Sequence, residues 1–251
     1  GRLRFTLTGP RGAMLAEEID AEMTGPEFRA RFGAQFAGAS PETRAVFDRI
    51  AGRDGIITTA NAAVLRIEAP DTCVQGLTIR NLYNCDRASA TVPGAAVNAA
   101  GQAGSGQHQA VALLCAGADR LIVSGTRLIG FQDTLYLQGH GARAFLTGCE
   151  IEGDVDFIFG QATARFEGCE IRSLGSRAEM SWATAPATDI RTPAGFVFDD
   201  CDFTHDGSER ALGGRFQLGR QWFEGVRATP YGTSPLDGFS CHLGAVSAWG
   251  P

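Results

Sequence analysis

The 251-residue chain carries 22 Lys and Arg against 28 Asp and Glu, a net charge of -6, with 44% hydrophobic and 20% charged residues. That balance excludes a disordered chain, which cannot combine such apolar content with so little charge. It also argues against nucleic acid as a partner, since phosphate binding needs clustered Lys and Arg, and no apolar run is long enough to cross a bilayer.

The chain opens at Gly1 without an initiator Met and runs into the alternation Leu3, Phe5, Leu7. This reads as a start within a larger precursor whose targeting segment has been removed. Seven cysteines are many for a reducing compartment, so the chain is expected to be exported: extracellular, periplasmic or outer-membrane associated. Any membrane anchoring would run through a segment ahead of Gly1.

From Ala16 to Asp48 the residues are mainly helix formers, broken at Gly25-Pro26 and Ser40-Pro41, with Thr24 and Ser40 placed as caps. A helical insertion is predicted over 16–54. Beyond Gly55 short apolar runs alternate with polar residues and glycines, the pattern of short strands and tight turns.

One phrase then recurs. Val74–Ile79, Ile122–Leu128, Phe145–Ile151, Arg165–Ile171 and Val197–Phe203 superimpose when aligned at Leu77, Thr126, Cys149, Cys169 and Cys201, with steps of 49, 23, 20 and 32 residues. Periods near twenty are what the coils of a parallel β-solenoid require, each burying its face against its neighbours. The step of 49 reads as two coils and that of 32 as one coil with a loop let out. A β-sandwich is the alternative, but its strands recur at 8 to 12 residues. A solenoid presents a long strand-lined groove suited to a linear polymer, walled by loops such as the one after Cys169.

Metal and nucleotide chemistry find no footing: the four histidines show no paired spacing, no two cysteines sit two residues apart, and neither phosphate-loop fingerprint nor a Gly-x-Ser-x-Gly elbow occurs. Two other segments end consecutive coils, Gly130-Phe131-Gln132-Asp133-Thr134-Leu135-Tyr136 and Gly153-Asp154-Val155-Asp156-Phe157-Ile158-Phe159-Gly160. Stacking places Asp133 and Asp156, one coil apart, side by side. Two close carboxyls cannot both ionise cheaply, so one becomes a neutral acid while the other stays an anion. In Leu218-Gly219-Arg220-Gln221-Trp222, Arg220 offers a guanidinium to hold one carboxylate ionised, and Trp222 an indole suited to a sugar face. The same residues admit plainer roles: Asp133 in an Asx-turn, Asp156 in a structural ion pair with Arg220, Gln109 as a strand glutamine, Trp222 as a cap on the core.

These segments resemble those of pectin methylesterases, right-handed parallel β-helix enzymes that hydrolyse the methyl ester of galacturonate in pectin. The similarity is densest from Gln109-Ala110-Val111-Ala112-Leu113 through Trp222, and Thr184-Ala185-Pro186-Ala187-Thr188 is similar to the bacterial members. Glu22–Arg29 also resembles an insertion in the branch with outer-membrane lipoprotein forms. The resemblance implies an all-β, single-stranded right-handed parallel β-helix over 1–251, lacking its first coils. It further implies Asp156 as nucleophile, Asp133 as general acid then base, Gln109 and Gln132 as oxyanion donors, Arg220 as orienter of Asp156, and Trp222, Tyr136 and Phe159 lining the sugar cleft. The implied partner is methyl-esterified pectin (homogalacturonan), with no metal or organic cofactor, and a Cys149–Cys169 bridge follows from some bacterial members. Oligomeric state is left open.

The match departs at Gln221, where the family usually has Pro, so Arg220 is presented by a less rigid turn. Gly139-His140-Gly141 resembles the tripeptide of polygalacturonases, without their accompanying carboxylate motifs. Two other readings stay open: a non-catalytic carbohydrate-binding solenoid, and an esterase or thioesterase acting on another acyl group with the same two carboxyls.

Overall fold

Alternating apolar residues in runs of three to six fold into strands that bury one face against the strands of neighbouring coils. The computed structural model describes residues 4–83, 109–178, 180–188, 192–220 and the strand backbone of 248–249. Trp222 and Gln221 lie outside the described residues.

Three all-parallel sheets run along the molecule, each coil adding one strand to each. The first comprises β1 (Phe5–Thr8), β4 (Thr72–Gln75), β7 (Leu121–Ser124), β10 (Arg143–Thr147), β13 (Thr163–Glu167), β16 (Phe196–Asp199) and β19 (Ala248–Trp249). The second holds β2 (Met14–Glu17), β5 (Thr78–Asn81), β8 (Arg127–Ile129), β11 (Glu150–Gly153), β14 (Glu170–Ser173) and β17 (Asp202–His205). The third holds β3 (Ala63–Ile67), β6 (Val111–Ala116), β9 (Leu135–Gln138), β12 (Val155–Gly160), β15 (Ser181–Pro186) and β18 (Phe216–Gly219). This is the expected parallel β-helix.

Register explains the repeated phrase. Val74, Val123, Leu146, Phe166 and Phe198 are laddered neighbours in the first sheet, and Ile79, Leu128, Ile151 and Ile171 in the second. Both ladders point into one apolar core, so each coil covers the face its neighbour exposes. The corner between these sheets is a left-handed residue: Gly76, Gly125, Gly148 and Gly168 have φ of 68°, 52°, 56° and 58°, and Asp200, at the same place in the fifth phrase, has 50°. Glycine recurs because a Cβ is penalised there, and Asp is among the few side chains that tolerate it.

Three expectations are corrected. The step of 49 residues is a single coil, because β4 pairs directly with β7, Cys73 opposite Ile122; the surplus length lies between β5 and β6. The helical stretch does not begin at Ala16, since Ala16 and Glu17 belong to β2 and pair with Arg80 and Asn81. The helices are α1 (Gly25–Phe32) and α2 (Pro41–Ala51). Thr24 caps α1 in a reciprocal box with Glu27, and Ser40 caps α2 by accepting from the Thr43 N–H. Their apolar faces meet through Phe28, Phe32 and Phe47 in a second core with Ile19, Met23 and Ile57.

The third correction concerns sulfur. Cys149 and Cys169 are free thiols, as are Cys73, Cys115 and Cys201. Stacked residues in a parallel ladder point the same way; the two thiols hydrogen-bond each other without a bond between the sulfurs, and each also meets backbone carbonyls, Cys149 Sγ those of Val123 and Thr147 (3.4 and 3.5 Å), Cys169 Sγ those of Leu146 and Glu167 (3.6 and 3.5 Å). Both behave as small buried core residues. Alkylation of the unfolded chain without reductant, followed by peptide mapping, should therefore find the alkyl group on both cysteines; a linked peptide pair would contradict the arrangement.

Candidate active site

The third sheet begins, coil after coil, beside one set of polar residues. Ala110 N–H donates to Gln132 O (3.1 Å), Asp133 N–H to Val155 O (3.1 Å), Trp182 N–H to Asp154 O (3.2 Å) and Arg220 N–H to Thr184 O (3.0 Å). Through this backbone ladder Gln109, Gln132 with Asp133, Asp154 with Asp156, Trp182, and Arg220 come together from five successive coils. Close packing holds it, for a Cβ on Gly153 would meet Phe157 Cβ at 2.3 Å and Phe131 O at 2.5 Å.

Asp133 sits in the turn between β8 and β9 with φ of 68°, and Asp156 in β12 with φ of 52°. The β12–β15 register shifts between Val155 and Ile158. Left-handed backbone at a non-glycine residue costs on the order of 1 kcal/mol or more, and such conformations gather where a side chain must be aimed. Both candidate carboxyls carry it.

Arg220, just past β18, grips Asp156 with two parallel bonds, Nε to Oδ1 at 2.7 Å and Nη2 to Oδ2 at 2.5 Å. The guanidinium also lies over the Trp182 ring, 4.1 Å from its centroid, and the indole N–H donates to Gln217 Oε1 (3.2 Å). A planar cation fits between carboxylate and aromatic face in a way an ammonium does not. Trp182 is a site residue that the sequence reading missed.

Asp133 is 6% exposed, and its carboxyl makes no hydrogen bond to any described residue. Burial first, then the adjacent Asp156 charge, hold it well above the usual carboxylate range, with Arg220 and Arg177 opposing. Asp156 is also raised by burial, and the Arg220 hydrogen bonds work against that rise. Arg220 thus limits the elevation of Asp156. Of the two, Asp133 is pushed up further, having no hydrogen-bonded cation to oppose its burial.

The Gln109 and Gln132 side chains are half-buried and make no hydrogen bond among the described residues. Tyr136 and Phe159 stack with centroids 4.1 Å apart and are buried at 3% and 4% exposure in an outer layer with Val111, Leu114 and Ala185. They brace the outer face of the third sheet and offer little open platform.

One further pair lies beneath. Asp154, fully buried, accepts from Arg177 Nε (2.8 Å) and Nη2 (2.5 Å), the arginine being 2% exposed. Its sequence signal was the same 23-residue interval that separates Asp133 from Asp156.

A family model described as Pectinesterase matches residues 85–229. Over 236 residues the chain is 29% identical to a pectinesterase of Sitophilus oryzae, covering 91% of this chain and 56% of that protein. It is 29% identical over 238 residues to pectinesterase B of Dickeya dadantii, covering 88% and 50%. Among solved structures it is similar to a pectin methylesterase from Erwinia chrysanthemi, with a TM-score of 0.66 at 26% identity, covering 98% of this chain and 64% of that one. The chain thus spans about half the length of the curated relatives it matches.

Proposed function

We propose that this chain, which belongs to the pectinesterase family, hydrolyses methyl esters of galacturonate in pectin, releasing methanol and leaving the polymer uncut. The observation that carries the reading is the asymmetric pair: Asp156 clamped by Arg220, and Asp133 buried and elevated further. An anion and a neutral acid side by side form the equipment for acyl transfer to a carboxylate.

An Asp156 carboxylate oxygen attacks the ester carbonyl carbon, and the carbonyl π electrons move onto oxygen. The Gln109 and Gln132 amides supply N–H groups to that oxyanion; in other enzymes one such donor is worth about 3 kcal/mol. Methoxide is a poor leaving group, and the Asp133 O–H gives it a proton as the C–O bond breaks, a contribution of about 10² to 10⁴ in rate. The product is a mixed anhydride on Asp156. Asp133, now ionised, takes a proton from water as that water attacks the acyl carbon, and the Asp156 carboxylate leaves. Arg220 and Trp182 hold the nucleophile in one orientation throughout. Since a pectin chain is too large to pass a membrane, the reading includes export.

The test is methanol release from highly methylated pectin, with polymer length followed in the same samples by size-exclusion chromatography. Methanol without shortening is the expected result. Turnover of a small ester with no methanol from pectin would assign the site to another acyl substrate, and shortening would replace an esterase by a depolymerase. A folded chain with none of these activities would leave a binding solenoid.

A further inference from the structure

Asp154 joins the parts of the site more widely than a structural ion pair requires. Its N–H donates to Phe131 O (3.0 Å), in the segment carrying Gln132 and Asp133. Its carbonyl accepts from Trp182 N–H (3.2 Å) and from the Ser181 hydroxyl, at the root of the ring on which Arg220 lies. Its carboxylate accepts from Val155 N–H (2.6 Å), next to Asp156, as well as from Arg177. Arg177 in turn lies over the Phe131 ring, 5.8 Å from its centroid, and its carbonyl accepts from Arg210 Nη1 (2.9 Å). A fully buried bidentate pair thus touches the segments that present Gln132, Asp133, Asp156 and Trp182.

We propose that Asp154 is a positioning residue of this site: its backbone and carboxylate tie the Phe131, Val155 and Trp182 segments together, and its charge cancels that of the buried Arg177 guanidinium stacked on Phe131. The inference rests on the esterase reading for its kinetic consequence, and on the buried pair and its pull on the Asp133 carboxyl for its electrostatic one. The charged groups around the pair are Asp133 from the β8–β9 turn and Asp156 from β12, both of which feel the Asp154 charge, and Arg210 from the short helix α3 (Glu209–Leu212), while Arg220 after β18 is held on Asp156. Of these, Asp133 feels both members, the cation lowering its pKa and Asp154 raising it. Removing Asp154 alone leaves a permanent buried cation beside the general acid. Removing both restores neutrality, and replacing a complete buried pair by uncharged groups is often tolerated.

The experiment compares wild type, Asp154→Asn and the double variant Asp154→Asn with Arg177→Met. Methanol release is measured against pH, and the aspartate carboxyls are titrated by 13C NMR. In Asp154→Asn the alkaline limb of kcat/KM, where Asp133 loses its proton, should move to lower pH by about one unit, and the Asp133 carboxyl resonance should titrate lower by the same amount. The double variant should return both to the wild-type position. A structural role would lower activity in both variants, most in the double one, without moving the limb down and back. An alkaline limb and an Asp133 titration unmoved in Asp154→Asn, or displaced in the double variant, would overturn the proposal. If Asp154→Asn does not fold, Arg177→Met takes its place: it leaves the Asp154 charge unopposed, so the alkaline limb and the Asp133 titration should move up, and an unmoved limb overturns the proposal. Should the wild type release no methanol, the esterase reading fails, while the carboxyl titrations still decide the electrostatic inference.

Discussion

Replacing Asp156 with Ala should lower methanol release by about 10⁴-fold or more, since the proposed mechanism forms its anhydride on this carboxylate. The variant should nevertheless fold. The Arg220 side chain is 41% exposed, so water can solvate the guanidinium once its partner is gone, whereas a deeply buried orphan charge would be severely destabilising. The remaining cost is backbone: alanine at φ of 52° is strained by about 1 to 2 kcal/mol. Asp156→Asn separates the two effects, because asparagine tolerates that conformation while its amide is no nucleophile. Both variants should be equally inactive, with Asn the more stable in urea. Loss of the neighbouring anion should also let the Asp133 carboxyl titrate lower, since the Asp156 charge is the second largest cause of its elevation. Methanol release persisting near wild-type levels in a folded Asp156→Ala protein would remove Asp156 as the nucleophile.

What the residues disclosed in advance follows from how solenoids encode themselves. A coil must repeat its inward side chains and its corner residue, so Gly-Cys-Glu-Ile at 148–151 and again at 168–171 is visible as text, and its spacing is the register of the β10–β13 and β11–β14 pairs. The same logic aligned Asp133 with Asp156. It failed between Leu77 and Thr126 because spacing counts residues and not strands: a coil that lets out a long loop and a pair of ordinary coils have the same length. It failed at Ala16 because Met14–Glu17 is short and flanked by helix formers, and becomes a strand only through pairing with β5.

The cysteines show a different limit. Equivalent positions on adjacent coils bring two thiols together, but whether they join in a disulfide or stay hydrogen-bonded thiols depends on side-chain rotation, which spacing does not carry. Trp182 and Arg177 were missed for a related reason. Each gains meaning only from what lies on the next coil, Trp182 under Arg220 and Arg177 against Asp154, and neither belongs to a repeated phrase. Tyr136 and Phe159, expected along the sugar cleft, stack on each other one coil apart. Their burial alters what they can offer a ligand.

Arg220→Met should shift the whole pH profile upward and lower its maximum by about 10²-fold, the scale lost when a reacting group is no longer held in its productive orientation. Burial already raises Asp156, and Arg220 is the principal group resisting the rise. Without the cation Asp156 must reach a higher pH before it ionises, so the acid limb of kcat/KM moves up. Arg220 also lowers Asp133, so the alkaline limb, where the general acid is lost, moves up with it. Methionine keeps much of the apolar contact with Trp182 while removing charge and fork. Arg220→Lys distinguishes the two: an ammonium restores part of the charge and should bring both limbs back toward wild type, but it cannot donate two parallel bonds, so the maximum should stay depressed. Limbs that move in opposite directions, or a lysine variant with full activity, would mean that the guanidinium serves packing against Trp182 and not the ionisation and aim of Asp156.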